Sequence, residues 1–252
     1  MHARADQVLG KVPEVTLIFW ILKILATTLG ETGGDAVSMS LGLGYLVGTG
    51  IFLVLFVAAV ATQISATRFR PALYWATIVA STTVGTTLAD FTDRQLGVGY
   101  AGGSAILLIL LATSLASWHA ALGSISIDTV ASPAAEAFYW VTIMCSQTLG
   151  TALGDWIADD AGLGYLGGAV VFASAIAVVA IGYYRTSISR VALFWAAFIL
   201  TRPLGAVVGD FLDKPTDHGG LALSRYTASA VLCALIAALV FLFPQRPASR
   251  GH

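Results

Sequence analysis

The chain has 252 residues, 57% of them hydrophobic and only 11% charged, and its mean hydropathy is +0.83. A soluble domain of this size needs roughly a quarter charged residues to cover its surface, so the composition excludes a water-soluble globular protein. The formal net charge of −1 decides nothing by itself, because the placement of the charges carries the information.

The apolar residues come in blocks of about 18–22, long enough to cross about 30 Å of hydrocarbon as helix. In chain order they predict eight spans, at 13–35, 43–62, 71–90, 99–118, 134–155, 164–184, 190–210 and 221–243. The first block follows Arg4 and Lys11 but lacks a small-residue cleavage site, so it reads as a membrane span and not as a signal peptide. Cys145 and Cys233 lie inside apolar blocks without metal-ligand spacing and read as small, reduced core residues.

Four tryptophans set a register. Trp20, Trp75, Trp140 and Trp195 are each followed ten residues later by glycine (Gly30, Gly85, Gly150, Gly205) and fifteen later by aspartate (Asp35, Asp90, Asp155, Asp210). A second small residue stands fourteen after each tryptophan: Gly34, Ala89, Gly154 and Gly209. Three copies continue into Gly-x-Gly-Tyr (Gly42 to Tyr45, Gly97 to Tyr100, Gly162 to Tyr165), and the fourth breaks the pattern with Gly219, Gly220 and a late Tyr226. The chain therefore reads as one transmembrane domain, 1–252, of four parallel helical-hairpin repeats at 13–62, 71–118, 134–184 and 190–243, eight transmembrane helices and all-α throughout. It is arranged either as a pseudo-fourfold ring or as two halves of two repeats, 1–120 and 121–252. These residues resemble a group of uncharacterised bacterial multi-pass membrane proteins built from four tandem two-helix repeats with a hallmark tryptophan. The resemblance implies the architecture and no activity.

Basic residues orient the chain. Arg4, Lys11, Arg68, Arg70, Arg185, Arg190, Arg246 and Arg250 collect on one side, against Arg94, Lys214 and Arg225 on the other. An excess of Lys and Arg marks the cytoplasmic side, which predicts both termini inside, in a bacterial cytoplasmic membrane.

Counting in fours along the first helix of each repeat gives one stripe per helix. The stripes are Lys23, Thr27, Glu31, Asp35; Ile78, Thr82, Thr86, Asp90; Ile143, Gln147, Thr151, Asp155; and Phe198, Arg202, Ala206, Asp210. Polar groups at membrane depth face a bundle interior or a wet cavity, so the stripes are expected to point at one another, with the small residues beside them letting the backbones close in. The five acids carry −5 and Lys23 with Arg202 carry +2, which leaves −3 if all ionise. Two carboxylates about 6 Å apart repel by roughly 3 kcal/mol at an effective dielectric near 20, so protons, a cation or basic partners must balance the ring. Arg202 is placed to reach Glu31; Lys23 lies too deep to pair with it.

Two readings of the aspartates stand. In one, Glu31, Asp35, Asp90, Asp155 and Asp210 bind a metal, with Thr27, Thr82, Thr86, Gln147, Thr151, Lys23 and Arg202 lining its path; hard oxygen donors suit Mn²⁺, Mg²⁺ or Ca²⁺. In the other, each aspartate ends its helix and bonds backbone amides of the glycine-rich turn. Asp93, Asp159, Asp160, Asp213 and Asp217 read as an acidic vestibule or as solvated loop charges. Gly-Val-Gly-Tyr is similar to a potassium-channel filter, although tight turns explain it more cheaply. His119 and His218 have no ligand-like spacing, and no nucleophile triad, phosphate loop or nucleic-acid patch is present, so an enzyme is not expected. The functional expectation is a transporter of divalent cations, with proton exchange, partnered by the lipid bilayer and by an inorganic cation or proton and not by nucleic acid. A non-transporting scaffold or sensor and a passive cation channel are the alternatives, and the sequence does not set the oligomeric state.

Overall fold

A computed structural model describes residues 10–248, so Arg4 and Arg250 of the orientation argument lie outside the described residues. Within it there are eight long helices: α1 Leu17–Asp35, α2 Gly44–Ser65, α3 Pro71–Asp90, α4 Tyr100–Leu122, α5 Pro133–Asp155, α6 Gly164–Arg185, α7 Arg190–Asp213 and α8 Arg225–Leu242. Thr16 caps α1, its hydroxyl accepting from the Phe19 N–H, so the helix starts later than the apolar run does. In the first three repeats the helix runs on past its aspartate through a five-residue π-helical turn, as at Ala36–Ser40. The glycines of Gly-x-Gly-Tyr that follow have positive φ (Gly42 68°, Gly44 76°) and open space around them, so they make a tight turn into the next helix.

Six of the helices are long and apolar enough to cross a membrane; α3 and α5 fall short by composition. Both are rich in threonine and serine, but many of these hydroxyls bond back to their own helix, as Thr77 does to Leu73 O and Thr148 to Met144 O.

The odd helices form a closed inner ring in which α1 packs on α3, α3 on α5, α5 on α7 and α7 on α1. The even helices lie outside. Their most apolar stretches are only 11–17% buried, against 61% in α1 and 56% in α7. The second helix of each repeat does not fold back on the first, as a hairpin would. Instead α2 packs on α3, α4 on α5, α6 on α7, and α8 returns to α1, where Ser229 and Thr32 hydroxyls meet at 2.9 Å. Each repeat is thus clasped by its neighbour, and the clasp closes on itself.

The same handover organises the aromatic end of the ring. The residue before each tryptophan packs on the tryptophan of the next repeat: Phe19 on Trp75 at 5.5 Å, Tyr74 on Trp140 at 5.8 Å, Tyr139 on Trp195 at 6.3 Å, and Phe194 on Trp20 at 5.9 Å. The four register tryptophans therefore build an aromatic floor across one end of the bundle.

Candidate functional site

The four stripes face one another inside the ring, and all sixteen of their residues are at most 2% exposed. Glycine makes this closeness attainable. Gly30 lies against Thr82, Gly85 against Gln147, Gly150 against Arg202 and Gly205 against Thr27, so tightly that a methyl group at any of the four would overlap its neighbour. Each repeat's glycine thus receives the stripe residue of the next repeat, and the fourth receives that of the first.

The stripes stack as layers along the axis. Lys23 comes from α1, and its ammonium meets Gln147 Oε1 on α5 at 3.5 Å and lies 4.1 Å from the Phe198 ring centroid on α7. It crosses the axis and does not pair with Glu31. One layer on, Arg202 donates to Glu31 Oε2 from both terminal nitrogens at 3.1 Å, to Thr86 Oγ1 at 2.6 Å, and to Thr151 Oγ1. Ala206 occupies the fourth position of that layer, and its small side chain leaves room for the guanidinium. Thr27 turns its hydroxyl to backbone carbonyls of Lys23, Ile24 and Thr201, and Thr82 Oγ1 has no partner among the described residues.

At the acidic end the four aspartates are bridged in pairs by two basic residues. Arg94 meets Asp90 Oδ1 at 3.0 Å and Asp155 Oδ2 at 3.2 Å. Lys214 meets Asp35 Oδ2 at 2.5 Å and Asp210 Oδ1 at 3.0 Å. Each bridge joins two neighbouring ring helices, and the bridges are related by the half-chain shift that carries Asp90 to Asp210. The bundle is fourfold in its packing and twofold in its charge. Beside the second bridge, Arg225 at the start of α8 meets Asp213 at 2.8 Å and Asp35 at 3.7 Å. Burial opposes the Lys214 charge, but the carboxylates of Asp210, Asp35 and Asp213 outweigh it and hold its pKa well above the ordinary lysine range.

These contacts answer the charge problem and correct two expectations. Basic partners neutralise the ring: with Arg94 and Lys214 included, five acids face four cations, and the imbalance is −1 where the stripes alone gave −3. The aspartates also do not cap the glycine-rich turns, since their partners among the described residues are basic side chains. The five predicted metal ligands do not form one site. Glu31 is committed to Arg202, and Arg94 separates Asp90 from Asp155. Three carboxylates do converge, Asp35, Asp210 and Asp213, with one oxygen from each lying within 4.8 Å of the others. Asp213 belongs to this site and not to a solvated vestibule, being 7% exposed. Arg94 and Lys214 were legible in principle, because each stands four residues after its aspartate and shares that helix face.

The comparisons with known proteins agree with the internal symmetry. No curated protein and no solved structure matches the chain. Four consecutive segments, 18–69, 73–123, 138–189 and 193–243, match a family described as Repeat of Unknown Function (DUF347). Each segment holds one of the four register tryptophans (Trp20, Trp75, Trp140, Trp195), one ring helix and one outer helix, and the chain belongs to this repeat family.

Proposed function

We propose that the protein crosses the bacterial cytoplasmic membrane eight times, with both termini inside, and carries hard divalent cations such as Mn²⁺ in exchange for protons. Eight crossings follow if α3 and α5 stand beside α1 and α7 in the ring, since 20 and 23 residues span about 30–35 Å at 1.5 Å each. Their polar residues then lie in the interior, away from lipid.

The observation that carries the transport reading is the place Lys214 occupies. Its ammonium sits between carboxylates of α1 and α7, where Asp213 completes a three-oxygen set on the scale of one small cation. Oxygen-only donors with a net charge of −3 suit a hard divalent ion. Lys214 and Arg225 stand in for it as tethered cations at the rim, 11% and 21% exposed, with stems long enough to swing into water. A dication entering this neutralised site requires positive charge to leave, which Lys214 and Arg225 do by swinging aside, and carboxylates freed of their basic partners can then take up protons for the return step. Onward movement requires the α1–α7 seam to part, because Arg202 and Lys23 place two positive charges on the axis behind the site. That barrier favours a carrier over an open channel.

A scaffold or sensor role is the second reading, favoured by the basic partner that each ring carboxylate already has. The experiment separating them is Mn²⁺ uptake into proteoliposomes, read by an internal indicator. Asp210→Asn should reduce uptake at least about tenfold while the protein still elutes as a folded species; Asp213→Asn serves if that variant does not fold. No uptake by the wild type, or full uptake by the folded variants, would end the carrier reading.

A further inference from the structure

The opposite, basic end of the bundle is closed by three chain segments that belong to none of the eight helices. Residues 10–14 and 245–248 pair as a short antiparallel bridge centred on Pro13 and Pro247, with Glu14 N–H donating to Arg246 O and Ala248 N–H to Val12 O, both at 2.8 Å. The linker between the halves joins them where Lys11 N–H donates to Val130 O at 3.0 Å. Beneath lie Val12, Ile127, Val130 and Ala248, all buried against the aromatic floor. Two of the four repeat tryptophans hold the segments down: Trp75 Nε1 donates to Gln245 Oε1 at 2.7 Å, and Trp195 Nε1 to Ile125 O at 3.0 Å. These two tryptophans are related by the half-chain shift, so the same indole serves both halves.

One side chain ties this cap to the bundle at two helix ends. Lys11 Nζ donates to the carbonyls of Gln63 and Ile64 at the end of α2, at 3.2 and 2.9 Å, and pairs with Glu136 in the first turn of α5 at 2.7 Å. Gln63 Nε2 returns a bond to Lys11 O at 3.2 Å. A cation on a helix C-terminus and an acid at a helix N-terminus are each favoured by the helix dipole, so the three partners reinforce one another. The contacts that fasten the cap are mostly single hydrogen bonds and one ion pair, all of which water can replace.

We infer that the segments 10–14, 125–130 and 245–248 form an inner gate, latched by Lys11, whose segments part at the Pro13–Pro247 bridge and leave the aromatic floor when the carrier opens to its basic side. This rests on the carrier reading for its purpose but not for its test. Pro13 and Pro247 face each other as a non-hydrogen-bonded antiparallel pair, with Cα atoms about 4.5 Å apart, within reach of a disulfide. Neither proline offers an N–H, so replacing them loses no bond.

The experiment uses the full chain with Cys145→Ala and Cys233→Ala. Val130→Cys reports opening by its rate of maleimide labelling, with and without Mn²⁺. Adding Pro13→Cys and Pro247→Cys, oxidised and verified as cross-linked by mass spectrometry, should slow that labelling at least about tenfold, with reduction restoring it. Equal labelling in the cross-linked and unlinked proteins, or no labelling of the unlinked protein under either condition, overturns the gate. If the gate opens but no Mn²⁺ crosses, the carrier reading fails and the gate stands. Mn²⁺ uptake at the wild-type rate through the cross-linked protein overturns the gate and leaves the carrier.

Discussion

Removing the charge of Glu31 tests the interior directly, because Arg202 would then stand fully buried on the axis without a carboxylate. Arg202 is 0% exposed, and all the protein partners of its terminal nitrogens lie on α1, α3 and α5. Breaking a buried ion pair by removing one partner costs about 3–5 kcal/mol, because the survivor keeps its desolvation cost. Glu31→Gln retains one acceptor for Arg202 and is expected near the lower end, about 3 kcal/mol. Arg202→Met leaves Glu31 alone and is expected near the upper end. The double variant removes both charges and is expected to lose only about 1 kcal/mol. The coupling energy is then about 7 kcal/mol, large for two side chains in contact. At roughly 2–4 °C per kcal/mol for a chain of this size, the single variants should melt about 6–20 °C lower and the double variant within about 4 °C of wild type. Intrinsic fluorescence in detergent reads this, since Trp75, Trp140 and Trp195 are all buried in the floor. Additive losses in the double variant would show that Glu31 and Arg202 do not depend on each other, and the layered interior would fall with that result.

Two further perturbations probe the ring by size and by polarity. Gly30→Ala should lower the melting temperature by several degrees, the cost of overpacking being about 1–3 kcal/mol, and Thr82→Ala in the same chain should recover most of it because the methyl then has room. Tyr74→Phe should cost about 1–3 kcal/mol by leaving the buried Tyr139 hydroxyl, 2.5 Å away, without its partner, while the Tyr74→Phe, Tyr139→Phe pair should lie near wild type.

The architecture was legible because duplication wrote it four times. A tryptophan, a glycine and an aspartate at fixed offsets give the helix face without knowledge of any neighbour, and the stripe from Lys23 to Asp35 does line the interior as its spacing implied. Which helix packs on which was not legible. Nothing in the apolar face of α2 distinguishes α1 from α3 as its partner, and α8 makes the same choice of the next repeat without a π-helical turn before it. Arg94 and Lys214 were overlooked for a different reason. Sorting charges by side of the membrane places them among loop residues, whereas their separation of four from Asp90 and Asp210 places them on the stripe. From the sequence Lys11 is a flanking cation of the first apolar block and part of the inside-positive count, because its partners Gln63, Ile64 and Glu136 are distant in sequence and meet only when the ring closes.

Titration of the purified protein with Mn²⁺, followed by the loss of the free-ion electron paramagnetic resonance signal, addresses the acidic end most directly when wild type is compared with Lys214→Gln. If the lysine ammonium occupies the seat of a metal ion between Asp35 and Asp210, removing that competitor should tighten Mn²⁺ binding about tenfold or more. Unchanged affinity, or no binding by either protein, would mean that Lys214 completes a structural ion pair and that the three carboxylates hold no metal.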